Sequence, residues 1–133
     1  MGRMRDLLLL LVLLLVAAAC GGDEGGTTTI DGRSANDHGT EDVSGEASVE
    51  LELDDFYFEP TILQGEPGEQ ITLKAANEGD EAHTFTSDDL GVDQVFQPGE
   101  EHDLTITFPD SGTVVFFCRF HEARGMVGAV EVG

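Results

Sequence analysis

Apolar and polar residues alternate with a period of two along most of the chain after residue 47. Residues 48–54 place Val, Leu and Leu between polar neighbours, and residues 102–108 repeat the pattern with Leu, Ile and Phe. Strict alternation is typical of a β-strand that buries one face and exposes the other. Turn sequences rich in Gly and Pro, such as residues 65–68 and 97–100, separate these segments.

Similar short segments recur along the rest of the chain, and no stretch shows a helical period. They lie at residues 48–54, 56–63, 71–76, 82–86, 95–96, 102–108, 113–118 and 127–132. Seven or eight short strands separated by turns about ten residues apart favour an antiparallel β-sandwich or barrel. The pattern therefore predicts one all-β domain with Greek-key connections over residues 48–133.

The first twenty residues have the pattern of an export signal. Arg3 and Arg5 precede a fully apolar run at residues 7–19, which is shorter than the roughly 20 residues of a membrane-spanning helix. The run ends in three alanines and Cys20, which resembles the lipobox of bacterial lipoproteins. The resemblance implies cleavage after residue 19, lipidation of Cys20 and attachment to the outer face of the cytoplasmic membrane. Ordinary cleavage with release of a soluble protein is the alternative, and both place the mature chain outside the cytoplasm.

Residues 20–47 have the composition of a linker. They are mainly Gly, Thr, Ser and acidic residues, with Ile30 and Val43 as the sizeable aliphatics. Such a segment buries too little apolar surface to offset its chain entropy, so we expect a disordered tether between the membrane and the domain.

The charge balance excludes several classes of partner. The net charge is −21, from 27 acidic and 6 basic residues. Nucleic acid is excluded because phosphate binding requires Lys and Arg, and docking onto anionic lipid headgroups is disfavoured for the same reason. Two interpretations of the acidity remain, a hydrated surface that keeps the protein soluble or electrostatic steering toward a basic partner.

One short loop near the end of the chain carries three soft metal ligands. Cys118 is followed by His121 and then by Met126. A thiolate, imidazoles and a weak thioether form the ligand set of blue-copper sites, which require a second histidine. His83, beside a turn and a predicted strand, is the candidate, and His102 is its rival. The alternatives are a buried structural thiol for Cys118, a surface position for His83 and an ordinary core position for Met126.

The spacing of this loop resembles that of the plastocyanin and cupredoxin family. The C-x₂-H-x₄-M pattern, the closing strand at residues 127–132 and the upstream segment 83–86 with 98–100 carry the resemblance. Together with the lipobox, they make the chain similar to membrane-tethered, halocyanin-like cupredoxins. The resemblance implies one copper ion cycling between Cu(I) and Cu(II), with His83, Cys118 and His121 as strong ligands and Met126 as the weak axial ligand. Plastocyanins carry Asn after the first histidine, whereas this chain has Thr84.

These features predict an electron carrier rather than an enzyme. Four protein ligands leave a metal without an open position for substrate, and no catalytic arrangement is evident elsewhere in the sequence. We expect a monomer that exchanges single electrons with redox proteins such as cytochromes or membrane oxidoreductases. A copper-binding lipoprotein that buffers or delivers the ion is the alternative. A third hypothesis is an adhesion or scaffold domain that keeps the fold but binds no copper.

Overall fold

A computed structural model describes residues 25–133, and these residues form an almost entirely β-structured domain. The predicted signal peptide at residues 1–19 and the predicted lipidation site at Cys20 lie outside the described residues. Twelve strands follow in chain order: β1 Gly26–Ile30, β2 Arg33–Asp37, β3 Thr40–Asp42, β4 Ser48–Asp54, β5 Tyr57–Glu59, β6 Ile62–Gln64, β7 Gln70–Asn77, β8 His83–Ser87, β9 Val92–Phe96, β10 Glu101–Thr107, β11 Gly112–Phe117 and β12 Val127–Val132. A 3₁₀ turn, Glu122–Arg124, precedes β12. No helix among the described residues has the length and apolar character needed to span a membrane.

Two larger sheets form a sandwich. One has four strands in the order β10-β7-β4-β5, and the other has six in the order β3-β6-β12-β11-β8-β9. The alternating apolar residues, which were predicted to form the buried faces of the strands, point into the space between the sheets. This shared core contains Leu51, Leu53, Leu73 and Ile106 from the first sheet and Phe85, Phe116 and Val130 from the second. The all-β sandwich predicted from the sequence is thus confirmed.

The strand count and the strand directions differ from the prediction. Residues 48–133, for which seven or eight strands were predicted, contain nine, β4 to β12, and β3–β6, β6–β12 and β4–β7 pair in parallel. Alternation identifies strands but does not reveal the direction of their neighbours, because a half-buried strand shows the same period in either pairing.

The prediction of a disordered linker over residues 20–47 is wrong for residues 26–42, which form three strands. β1 and β2 make an antiparallel hairpin, and β3 extends the six-stranded sheet beside β6. Ile30 and Ala35 are buried against Val127 and Ala129 on the outer face of β12, while Val43 joins the main core. A few apolar side chains suffice here because the finished sheet supplies the surface and the hydrogen-bonding edge that a short segment cannot build alone.

Aromatic rings fill the part of the core beside β11, the strand that precedes Cys118. Phe116 stacks on Phe85 with ring centroids 4.5 Å apart and meets Phe58 edge to face at 4.9 Å. Gly128 on the neighbouring strand lets Phe116 lie flat, because a Cβ there would come within 2.3 Å of its ring. This packing fixes the end of β11, where Cys118 follows.

Candidate metal centre

Three of the four predicted ligands converge at one end of the sandwich. His83 begins β8, Cys118 directly follows β11, and the register joins these two strands. The His83 and His121 Nδ1 atoms are 3.1 Å apart, and Cys118 Sγ lies 3.9 Å and 3.6 Å from them. His83 and Cys118 are fully buried, and His121 is partly exposed. The strands thus bring together two nitrogens and one sulfur that lie 38 residues or fewer apart in sequence.

The loop after Cys118 is closed by its own backbone. The Cys118 N–H donates to the carbonyl of Met126 at 3.0 Å, and the His121 N–H donates to the Cys118 carbonyl at 3.2 Å. Gly125 ends the 3₁₀ turn with a φ of 88°, a left-handed conformation that glycine adopts without strain. Met126 is thereby buried in the same core cluster as Cys118. Its role as the axial ligand stays a prediction.

Both histidines use their remote ring nitrogen to contact a carboxylate. His83 Nε2 lies 2.8 Å from Asp55 Oδ1, and His121 Nε2 lies 2.9 Å from Glu81 Oε2. These contacts favour the tautomers with a proton on Nε2, which leave the Nδ1 lone pairs free. Burial lowers the pKa of His83, and His121 adds to that effect, while the hydrogen bond to Asp55 opposes it. His83 is therefore a neutral imidazole near pH 7, the form that binds metals.

Asp55 was not identified from the sequence as part of the site. Paired carboxylates in a turn, such as Asp54 and Asp55, are usually solvated, and nothing in the local pattern distinguishes this one. In the structure Asp55 accepts hydrogen bonds from the backbone N–H groups of Asp80 and Glu81 as well as from His83. Burial acts to raise the pKa of Asp55, but these hydrogen bonds outweigh it and hold the pKa below its usual value.

Thr84 joins the two ligand-bearing strands in the place where plastocyanins carry Asn. Its hydroxyl oxygen accepts the Arg119 N–H at 2.8 Å, and its own N–H points to Cys118 Sγ at 3.3 Å. The hydroxyl lies 2.9 Å from that of Thr86, which donates to Asp93 at 2.8 Å. Arg119 Nε also donates to Asp93, so the chain of bonds begins and ends on the residue after the cysteine.

The β1–β2 hairpin contacts the loop of residues 118–126 through Asn36. This loop carries three of the candidate ligands and is called the ligand loop below. The Asn36 side-chain amide donates to the carbonyls of Phe56 and Arg124, both at 2.9 Å, and its backbone N–H donates to the Gly125 carbonyl at 2.9 Å. Arg33 adds an ion pair with Glu122 at 2.7 Å. The segment expected to be a disordered tether therefore supports the turn between His121 and Met126.

Aromatic side chains flank the exposed edge of His121. The Phe56 and His121 ring centroids are 4.7 Å apart, and the Arg124 guanidinium lies over the Phe56 ring, 4.3 Å from its centroid. Phe120 is 50% exposed, the one large apolar side chain among the described residues with that exposure. The edge of His121 therefore lies within a small apolar patch bordered by Glu81.

His102, the rival for the second histidine, does not join the cluster. It lies on β10 in the four-stranded sheet, where its Nε2 contacts Glu100 at 3.0 Å and its ring meets Phe96. Among residues 25–133, His83, Cys118 and His121 form the group able to hold a metal ion.

The donor atoms fit copper. Two imidazole nitrogens and a thiol sulfur lie within 4.8 Å of one another, and this soft donor set favours copper. Because both Nε2 atoms face carboxylates, the two Nδ1 lone pairs face each other at 3.1 Å, and a cation between them would relieve their repulsion.

Comparison with known proteins agrees with the geometry. The model of the family described as "Cupredoxin-like domain" matches residues 8–129. No curated protein matches the chain at the level of sequence.

Several solved structures share the fold at low sequence identity. Auracyanin from Roseiflexus castenholzii is 19% identical with a TM-score of 0.55, covering 66% of this chain and 98% of that one. Auracyanin A, a "blue" copper protein from Chloroflexus aurantiacus, is 15% identical with a TM-score of 0.53, covering 71% and 100%. A chain of a heme-copper terminal oxidase dimer is 18% identical with a TM-score of 0.57, covering 67% of this chain and 66% of its own length. At these identities the likeness establishes the fold.

Proposed function

This chain belongs to the cupredoxin-like domain family, and from that premise we propose that it carries single electrons through one mononuclear copper site outside the cytoplasm. His83, Cys118 and His121 would bind the ion, with Met126 as the weak axial ligand. When bound, copper would supply one-electron chemistry by alternating between Cu(II) and Cu(I). The observation that carries the proposal is the convergence of two Nδ1 atoms and one Sγ within 4.8 Å.

The protein's contribution is to keep the ligands still. His83 is fixed by Asp55, Cys118 by the N–H of Thr84, and the ligand loop by Asn36 and the Cys118–Met126 backbone bond. A site that holds one geometry in both oxidation states requires little reorganisation during electron transfer. With Met126 as a fourth ligand, no coordination position would stay open for a substrate, which favours a carrier over an enzyme.

Electrons would enter and leave at the edge of His121. This edge is partly exposed among Phe56 and Phe120, whereas His83 and Cys118 are buried. Suitable partners are redox proteins such as cytochromes or membrane oxidoreductases. Lipidation of Cys20 would keep the carrier at the outer face of the membrane, as in halocyanin-like cupredoxins.

The test of the copper site is a Cu(II) titration of the purified metal-free protein. We expect one equivalent to produce the intense visible absorption of a copper–thiolate bond, and Cys118→Ala to abolish it. His102→Asn is the matched control, because His102 lies outside the ligand group, and it should keep the full absorption. A colourless wild-type titration would contradict the proposal.

The same sample distinguishes a carrier from a copper buffer. A carrier keeps its copper in the presence of a chelator while its colour disappears on reduction and returns on oxidation. Rapid loss of copper to the chelator, in both oxidation states, would instead indicate a protein that buffers or delivers the ion.

The tether is tested with the full-length chain in a bacterial host. We expect Cys20 to incorporate labelled fatty acid and the protein to sediment with membranes, whereas Cys20→Ser should carry no label. An unlabelled wild-type chain in the soluble extracytoplasmic fraction would contradict the lipid anchor without affecting the copper site.

A further inference from the structure

We propose that Asp55 and Glu81 bias the site toward Cu(II) and thereby lower its reduction potential, with Asp55 as the dominant positioning residue. The inference rests on the proposed copper function. Each carboxylate contacts the Nε2 of one histidine ligand, at 2.8 Å for Asp55 and 2.9 Å for Glu81. Partners of this kind orient the imidazole and raise its basicity as a metal ligand.

A negative charge beside a ligand favours the more highly charged metal ion. The attraction between the carboxylate and the metal charge is greater for Cu(II) than for Cu(I), so the carboxylate lowers the tendency of the site to accept an electron. Two such contacts on two ligands act in the same direction.

The two carboxylates differ in how strongly solvent screens them. Asp55 has a side chain 25% exposed and contacts a completely buried imidazole, whereas the Glu81 side chain is 53% exposed. Exposed charge pairs contribute little because water and salt screen them. Asp55 therefore has the larger effect, and the effect of Glu81 decreases as salt increases.

Asp55 is also held in place by the segment that carries Glu81. Its Oδ2 accepts the Asp80 N–H at 3.0 Å, and its Oδ1 accepts the Glu81 N–H at 3.3 Å. This segment thus contacts the surroundings of both histidines. The backbone N–H groups of Asp80 and Glu81 bind the carboxylate that contacts His83, and the Glu81 side chain contacts His121. These two backbone bonds and the contact with His83 hold the carboxylate of Asp55 in place.

Gly79 provides the space in which Asp55 meets His83. A Cβ at this position would lie 2.4 Å from Asp55 Oδ1 and 2.9 Å from His83 Nε2. Gly79→Ala therefore disrupts the contact between the carboxylate and the His83 ring while keeping the charge of the chain unchanged. It complements Asp55→Asn, which removes the charge while keeping an oxygen acceptor.

The experiment measures the reduction potential of the copper-loaded full chain in wild type, Asp55→Asn, Gly79→Ala and Glu81→Gln. The matched control is Asp110→Asn, the same chemical change at an exposed turn between β10 and β11. We expect Asp55→Asn to shift the ratio of Cu(II) to Cu(I) affinity about tenfold toward Cu(I). This corresponds to a rise of about 59 mV for a one-electron couple. Gly79→Ala should raise the potential in the same direction, and Asp110→Asn should leave it unchanged.

The salt dependence of the reduction potential distinguishes the effects of the two carboxylates. Glu81→Gln should raise the potential less than Asp55→Asn at low salt, and its effect should vanish near 1 M salt, where the Debye length is about 3 Å. The Asp55→Asn shift should persist there. An Asp55→Asn potential no higher than that of Asp110→Asn, in a protein that still binds copper with intense absorption, would overturn this inference and leave the proposed function standing.

A measurement on the metal-free protein makes the test independent of copper. Nitrogen-15 NMR of the imidazoles should show the His83 proton on Nε2 in wild type and in Asp110→Asn. A His83 proton on Nδ1 in the wild type would overturn the inference even if copper binding failed altogether.

Discussion

Thr84 shows how much of the site depends on a single hydroxyl. Its oxygen accepts the Arg119 N–H, its hydroxyl donates to the Thr86 oxygen, and the Thr86 hydroxyl donates to Asp93. Because Asp93 is acceptor-only when ionised, every bond in this series has one possible direction. Hydrogen bonds from Arg119 and Thr86 hold the pKa of Asp93 below its usual value, so the series stays intact at neutral pH.

Replacing Thr84 with Val is expected to destabilise the metal-free protein by about 1–3 kcal/mol. Valine keeps the shape but leaves the Arg119 N–H without its acceptor and removes the donor to the Thr86 oxygen, and an unpaired N–H is the costly way to lose a hydrogen bond. Chemical denaturation measures the change. Thr105→Val, at an exposed position on β10, should alter stability far less, and equal effects of the two variants would contradict the assigned role of Thr84.

The sequence indicated the candidate ligands more readily than the groups that contact them. The spacing from Cys118 through His121 to Met126 is local, so a sequence motif can reveal it. His83 followed only from the need for a second imidazole. Asp55 and Glu81 were not predicted, because a carboxylate in a turn looks the same whether it faces water or a histidine 28 or 40 residues away. Their contacts depend on how loops between different strands approach one another in the folded domain, and a local sequence pattern does not reveal this.

At the scale of elements, the four-stranded sheet carries an acidic outer face. Glu52 on β4 lies directly opposite Glu59 on β5. Burial raises the pKa of Glu52, and the neighbouring carboxylates, with Glu59 and Glu78 foremost, raise it further. Like charges opposite each other destabilise a strand pair, so this sheet retains repulsion at neutral pH.

Glu52→Gln should therefore stabilise the protein at pH 7, by about 0.2–1 kcal/mol. A carboxyl whose pKa rises on folding binds its proton more readily in the folded state, so its ionised form opposes folding. This penalty disappears as pH falls, and the two proteins should become equally stable below the ordinary pKa of 4.5. Denaturant titrations across pH measure the difference. Glu66→Gln, in an exposed turn, is the control, and a destabilised Glu52→Gln at pH 7 would contradict the argument.

Strand prediction succeeded where a strand has its own alternating pattern. It failed where a strand is ordered mainly by packing on strands from elsewhere in the chain. Strands β4, β7 and β10 were evident because β4 and β7 each bury three or more alternating positions and β10 buries two. Strands β1 to β3 have few buried positions: the β1–β2 hairpin packs on β12, and β3 pairs with β6. A composition argument treats such a segment as though it were alone, so it underestimates the order that the rest of the domain imposes.

For the molecule as a whole, the charge is far from balanced. The chain has 27 acidic and 6 basic residues, and within residues 25–133 two arginine–carboxylate pairs form, Arg33–Glu122 and Arg119–Asp93. Both pairs lie around the ligand loop. Most of the negative charge is therefore uncompensated, and its mutual repulsion opposes the compact state.

Salt is expected to stabilise the metal-free protein. The Debye length falls from about 30 Å at 0.01 M to about 3 Å at 1 M, so most of this repulsion is screened at high salt. The thermal midpoint should rise by at least about 4 °C between these concentrations, the shift produced by about 1 kcal/mol in a domain of this size. NaCl and KCl should act alike. A midpoint that falls with salt would show that the surviving ion pairs outweigh the repulsion.

The contact between the hairpin and the ligand loop has a consequence for the order of folding. Asn36 and Arg124 are 88 residues apart in sequence. Contacts of such high sequence separation require nearly the whole chain to be arranged first, and they slow folding. The hairpin precedes in sequence the strands on which it packs, β5 and β12, and β12 is the last strand of the described residues. The loop between His121 and Met126 therefore takes its final form only when both ends of the domain have met.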